Sequence, residues 1–198
     1  MRDDGPVSPP PPGHRADAVR NRQQILGATR LLVSRDGGEV SMEAIAAEAG
    51  VAVGTLYRHF PTKDALLRAV VEEKLQALSD ELVAASARVG AGGSAWRELS
   101  ATFLAVVHRQ AGDRAVKAAV ALAQRPGDAT VEAEQRVRTL LEELVAAAHH
   151  EGSLRPDLSA DDIGWLLQGL PGDEVDEATR NRCAQVVLDG LRAGARLG

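Results

Sequence analysis

The sequence predicts an all-α protein, and three features of its 198 residues carry that prediction. The helix-favouring residues Ala, Leu, Arg and Glu are abundant, and alternating β-branched runs are hard to find. Apolar residues recur at i, i+3 and i+4, the spacing of a buried helix face. Gly and Pro punctuate these stretches at Gly37-Gly38, Pro61, Gly90-Ala91-Gly92-Gly93, Pro126-Gly127 and Pro171-Gly172. The result is an expected fold of about nine helices. With only 3% aromatic residues, Ala, Leu and Val must fill most of the core.

Residues 5–13 contain five of the nine prolines and are expected to belong to a disordered tail over residues 1–14. The basic stretch His14–Arg22 leads into the first helix, either as a solvated start or as an arm touching phosphates. That helix runs from about Asp17 to Arg35, with Ile25, Leu26, Thr29, Leu32 and Val33 on one face. Ser41 suits the N-cap of a short second helix ending near Ala49, with Glu43 favourable in its first turn. Gly50-Val51 makes a turn, and a third helix follows from about Val53 to His59. Thr62 can cap a fourth, whose apolar seam Val71, Leu75, Leu78 and Leu82 continues to about Val89.

Five further helices are expected. Ser94–Ala111 carries Trp96, Leu99, Phe103, Leu104 and Val107, and Asp113–Arg125 is Ala-rich. Ala129–Glu151 carries Val137, Leu140, Leu141, Leu144 and Ala148. Ser159 with Asp162 resembles a capping box ahead of Ile163, Leu166, Leu167 and Leu170. The last helix spans about Asp176–Ala195.

Charge is distributed unevenly. The chain carries a net charge of −5, yet residues 15–63 hold seven basic and five acidic side chains. Residues 64–198 hold fifteen basic and twenty-one acidic ones. Positive charge therefore collects in the N-terminal third, where neutralising phosphate would need it. The single Cys183 excludes an internal disulfide and suits a reducing compartment. No apolar run approaches the ~18 residues of a membrane span, and the N-terminus resembles no signal peptide. A cytoplasmic location is the expectation.

The second and third helices have a logic of their own. Ala46 is small where two helices would cross, and Gly50 permits the positive φ of a tight interhelical turn. Ile45, Val51 and Leu56 supply an inner apolar face. This small–Gly–apolar rhythm is that of a DNA-binding helix-turn-helix, although other helical hairpins share it.

The run Ile45–Leu66, containing Gly54-Thr55-Leu56-Tyr57-Arg58-His59-Phe60-Pro61-Thr62-Lys63-Asp64-Ala65-Leu66, resembles the signature of TetR/AcrR transcriptional regulators. The resemblance covers about residues 20–70. Gly152–Leu158 and Leu188–Ala193 resemble the C-terminal domain of the SbtR-like subgroup.

The resemblance implies a helix-turn-helix domain over residues 15–63 and a helical ligand-binding and dimerisation domain over residues 64–198. It makes the third helix the recognition helix, with Val53, Gly54, Thr55 and Arg58 facing base edges. Ser41, Tyr57, His59 and Lys63 would hold phosphates. Tyr57 could instead only pack between the first and fourth helices, His59 could be a satisfied helix-end histidine, and Lys63 could be solvated. Ala52 departs from the family, whose members often place a capping Ser or Thr there; its loss typically costs ~1 kcal/mol.

By the same resemblance, the protein binds a double-stranded operator as a homodimer and responds to a small-molecule effector, with no membrane partner. The implied pocket draws on Trp96, Phe103, Val107, Leu122, Leu141, Leu144 and Trp165, with polar help from His108, Gln124 or His149. The implied dimer interface draws on Ile163, Leu167, Cys183, Val187, Gly190 and Gly194. A ligand-independent regulator or an activator is the alternative.

Catalytic, cofactor and metal sites are not expected. The chain has no G-x-x-x-x-G-K, G-x-G-x-x-G or H-E-x-x-H. No histidine follows a glutamate by three, and adjacent His149 and His150 point about 100° apart on a helix. A protein-binding helical scaffold would leave Thr55, Tyr57, Arg58 and Lys63 without a reason to sit together.

Overall fold

A computed structural model describes residues 12–36, 40–110, 128–172 and 174–194. Those residues form eight α-helices: α1 (Pro12–Asp36), α2 (Met42–Ala49), α3 (Val53–His59), α4 (Lys63–Gly90), α5 (Ala95–Gln110), α6 (Asp128–His150), α7 (Ala160–Gly169) and α8 (Glu177–Leu191). The helix expected at Asp113–Arg125 and residues 1–11 of the expected tail lie outside the described residues. Among the described residues, no helix is long and apolar enough to cross a membrane.

The first helix starts at Pro12, earlier than the sequence suggested, so residues 12–14 are helical and not tail. A proline in the first turn costs no hydrogen bond, because that N–H has no intrahelical partner. Its apolar stripe behaves as its spacing predicts. Ile25, Leu26, Leu32 and Val33 are buried, and the buried Thr29 hydroxyl donates to the Ile25 carbonyl at 2.7 Å.

Two apolar cores lie along one long helix. The head core joins α1 and α2 to Leu56, Phe60 and the first two turns of α4, with Leu75 packed against it. The body core begins at Leu82, with Leu78 packed against it, and gathers α5, α6, α7 and α8. The seam Val71–Leu75–Leu78–Leu82 therefore crosses from one core to the other without interruption. Packing carries the head some way past residue 63.

The body is closed by polar contacts at helix ends. Glu151, just past α6, accepts from the Ser94 hydroxyl at 2.7 Å and from the Trp96 amide at 2.9 Å, capping the start of α5. The capping box at α7 is complete, with the Ser159 hydroxyl accepting the Asp162 amide and Asp162 accepting the Ser159 amide. The last helix stops at Leu191, four residues before its expected end. There the backbone leaves to pair with residues 153–155, the Arg155 amide donating to the Leu191 carbonyl at 3.0 Å and the Ala193 amide to Ser153 at 2.9 Å.

Candidate nucleic-acid interface

The helix-turn-helix is built as its small residues require. Ala46 is fully buried at the α2–α3 crossing, beside Ile45 and Leu56. Gly50 ends α2 in the left-handed region at φ 66°, its N–H returning to the Ala46 and Ala47 carbonyls. Ala52 stands at the N-cap of α3 without a side-chain bond, as expected. Its carbonyl nevertheless accepts from the amides of Thr55 and Leu56, so α3 is held by backbone bonds and by buried Leu56.

One face of α3 is left open. Val53, Gly54, Tyr57 and Arg58 are exposed, with Gly54 and Arg58 on the side opposite Leu56. A Cβ placed on Gly54 would meet nothing within 4 Å. Thr55 is half-buried at the margin of this face, not at its centre. His59 turns further inward. Its Nε2 is buried without a partner, and burial, then Arg58 and Arg22, push its imidazole below the ordinary histidine range. The ring thus stands partly buried at the end of α3.

Two hydroxyls mark the flanking helix starts. Ser41 accepts the Ala44 amide at 3.1 Å, and Thr62 accepts the Ala65 amide at 3.1 Å. Each keeps an O–H to donate, beside the free amides of a helix N-terminus. Lys63 opens α4 directly after Thr62. One contributor was not legible in sequence. The Arg22 guanidinium sits over the Phe60 ring, 5.2 Å from its centroid, and braces the exit of α3 from α1.

The chain is similar to known transcriptional regulators. Residues 25–70 match the family described as bacterial regulatory proteins, tetR family. Residues 94–193 match the SbtR-like transcriptional regulator C-terminal domain. A TetR transcription regulatory protein from Mycobacterium vanbaalenii is 34% identical, over 90% of this chain and 99% of its own, with a TM-score of 0.68. The chain belongs to the TetR family of transcriptional regulators. A TetR regulator from Streptomyces coelicolor is 30% identical over 88% of this chain and 99% of its own, with a TM-score of 0.66. HTH-type transcriptional regulators of Staphylococcus aureus are 44% identical over 62 residues, 31% of this chain and 34% of theirs. The match thus spans about a third of the length of those curated relatives. A gamma-butyrolactone receptor, 22% identical over 90% of this chain and 91% of its own, has the same fold with a TM-score of 0.66. This TetR-family protein is accordingly a DNA-binding transcriptional regulator and not an enzyme.

Its body differs from the expected pocket. A small apolar cavity lies among α4–α7, walled by residues including Phe103, Leu141, Ile163 and Leu167. Thr102 alone is polar among its described lining residues. The cavity measures about 30 Å³, one water's share of liquid volume. Val107 and Leu144 are buried in the core but are not among the cavity's lining residues. Trp96 lies at the end of the body under Arg192, 5.5 Å from guanidinium to ring centroid. Trp165 is 67% exposed, because it stands about 200° around α7 from buried Ile163. His108 is exposed, and His149 Nε2 lies 3.0 Å from the Arg155 carbonyl. Leu122 and Gln124 lie outside the described residues.

The expected dimer residues differ in burial. Ile163 and Leu167 face inward to the cavity, while Cys183 and Val187 pack against the body core. Gly190 is exposed, and Gly194 lies beyond the end of α8 at φ 91°. The apolar side chains that the two last helices leave open are Trp165, Leu166 and Val186, the last 71% exposed.

Proposed function

We propose that this regulator is a homodimeric repressor that grips a pseudo-palindromic operator and releases it when a small-molecule effector binds. The observation that carries the DNA contact is the open face of α3, set on a buried hairpin and flanked by the starts of α2 and α4. In this reading Val53 and Gly54 let the helix approach closely, Arg58 reads a guanine and Thr55 contacts a base at the edge. Ser41, Tyr57 and Lys63 hold phosphates and fix the register. His59 packs the helix end.

A dimer is favoured by Trp165, Leu166 and Val186, whose exposure on the last two helices suits a two-fold contact. Such a pair spaces its recognition helices about 34 Å apart, one turn of duplex. An effector is supported by the fold shared with a receptor whose name records a small-molecule ligand.

The test is a salt titration with a duplex selected from a random pool. With about six phosphate contacts, affinity should fall roughly a thousandfold between about 50 and about 200 mM salt. An affinity indifferent to salt, or equal for the selected and scrambled duplexes, overturns the reading.

A further inference from the structure

Side-chain bonds from the body reach α4 at Arg88, Glu81 and Glu72. The first two stand alongside the body core that begins at Leu82, whereas Glu72 follows Val70 and Val71 of the head core. Its carboxylate accepts from the hydroxyl of Thr130, in the first turn of α6, at 2.9 Å. The next residue, Glu73, pairs with Arg30 of the head's α1. Consecutive carboxylates, about 100° apart around α4, are therefore held one from the body and one from the head. Thr130 also stands alone at the start of α6. It is 5% exposed, while Ala129 and residues 131–136 are exposed, save for half-buried Ala133. Apolar packing of α6 resumes at Val137, and its next buried residues are Leu144 and Val145. A groove of about 530 Å³ runs between this start and the head, lined by Arg22 of α1, by α4, and by Ala129 and Ala133 of α6.

We infer that Thr130 is a positioning residue for DNA binding: its hydroxyl fixes α6 against the turn of α4 that carries the head, and so sets the span between the two heads of a dimer. The span rests on the two-fold reading above. Where apolar packing is tight, it sets the position of a helix and a hydrogen bond adds little. At the start of α6 that packing is thin, so one buried, charge-assisted bond decides where the helix end lies. Its loss would leave the half-buried Glu72 carboxylate short of a donor and the first two turns of α6 without a fixed seat. Because Glu73 ties the adjoining face of α4 to α1, a shift there alters the angle between head and body. A small angle is enough. The recognition helices must lie about 34 Å apart, and phosphate contacts fix their register.

The test compares the parent with Thr130→Val, Thr130→Ser and Glu72→Ala, all as full chains. The probes are the selected duplex, duplexes whose half-sites are moved closer or further by one base pair, and a duplex with a single half-site. Thr130→Val and Glu72→Ala should each lower the preference for the selected spacing about fivefold, the low end of ordinary coupling between sites. Both should bind the single half-site like the parent, which a general loss of stability would not allow. Thr130→Ser keeps the hydroxyl and should keep the parent's preference. The inference is overturned if either bond-breaking variant retains that preference, if Thr130→Ser loses it, or if affinity for the single half-site falls equally. Should one bond-breaking variant fail to fold, the other decides. A parent indifferent to spacing would sink the two-fold reading instead. Amide exchange over residues 130–137 then decides the hold on α6: faster exchange in Thr130→Val than in Thr130→Ser supports it, and equal exchange overturns it.

Discussion

The guanidinium of Arg22 stacks over the ring of Phe60, so the residue that closes the recognition helix is held from the first helix of the head. The same guanidinium helps push the His59 imidazole down, behind burial and Arg58. Arg22→Ala should therefore raise the His59 pKa, which an NMR titration of its ring carbons would follow. The stability loss should stay within about 1 kcal/mol, as for an exposed cation–π contact. Duplex affinity should fall further than stability does, because the end of α3 loses its brace.

Gly50 and Gly54 predict opposite outcomes for the same substitution. Gly50 has φ 66°, so Gly50→Ala should destabilise by about 1–2 kcal/mol through backbone strain alone, since a Cβ there meets no neighbour. Gly54 lies within α3 with open space beside it, so Gly54→Ala should stabilise by about 0.5–1 kcal/mol. That methyl would nevertheless stand on the face presented to the duplex and weaken binding. Chemical denaturation and duplex titration of both variants separate the two effects. Parental DNA affinity in Gly54→Ala would show that α3 does not approach the groove closely.

The Glu98 side chain is 6% exposed and accepts from Arg88 Nε at 2.7 Å and Arg97 Nη2 at 3.3 Å. The Arg88 hydrogen bond foremost holds its carboxyl below the usual range, against the opposing effect of burial. A carboxylate lowered in the fold contributes stability that is fully present above its unfolded pKa of about 4.3 and is lost as pH falls through the folded value. Unfolding free energy should therefore fall more steeply below about pH 4.3 in the parent than in Glu98→Gln. Parallel curves would remove Glu98 from the account of acid sensitivity.

Trp165 and Ile163, two residues apart on α7, should separate assembly from folding. Ile163→Ala removes a buried side chain and should cost about 2–5 kcal/mol of fold stability. Trp165→Ser combined with Val186→Ser removes only exposed apolar surface and should leave the protomer's stability nearly unchanged while weakening self-association. Sedimentation across a concentration series checks this. Self-association unaffected by the double change would place the dimer contact elsewhere.

The head was readable because its residues have few substitutes. Ala46 and Gly50 are fixed by a helix crossing and a positive φ, and the capped starts at Ser41 and Thr62 are local decisions of three or four residues. The capping box of Ser159 and Asp162 was legible for the same reason. What the sequence concealed was direction. On α7, Ile163, Leu166 and Leu167 form one broad apolar stripe, and only the packing of α5 and α6 decides which part of it is core. The inward turn of Ile163 and Leu167 leaves Trp165 and Leu166 outside. Contacts between distant residues were hidden as well. Nothing local marks Arg30 for Glu73, forty-three positions away, or Arg22 for Phe60.

The unbroken passage of α4 through both cores also constrains how such proteins can be recombined. Its 28 residues act as one axle of roughly 42 Å, on which head and body are keyed at fixed angles. Inserting a single residue between Leu75 and Leu78 would turn the head by about 100° against the body, whereas a seven-residue insertion would leave it only ~20° out of phase. A chimera that joins this head to another body must therefore preserve the residue count along α4 as well as its sequence.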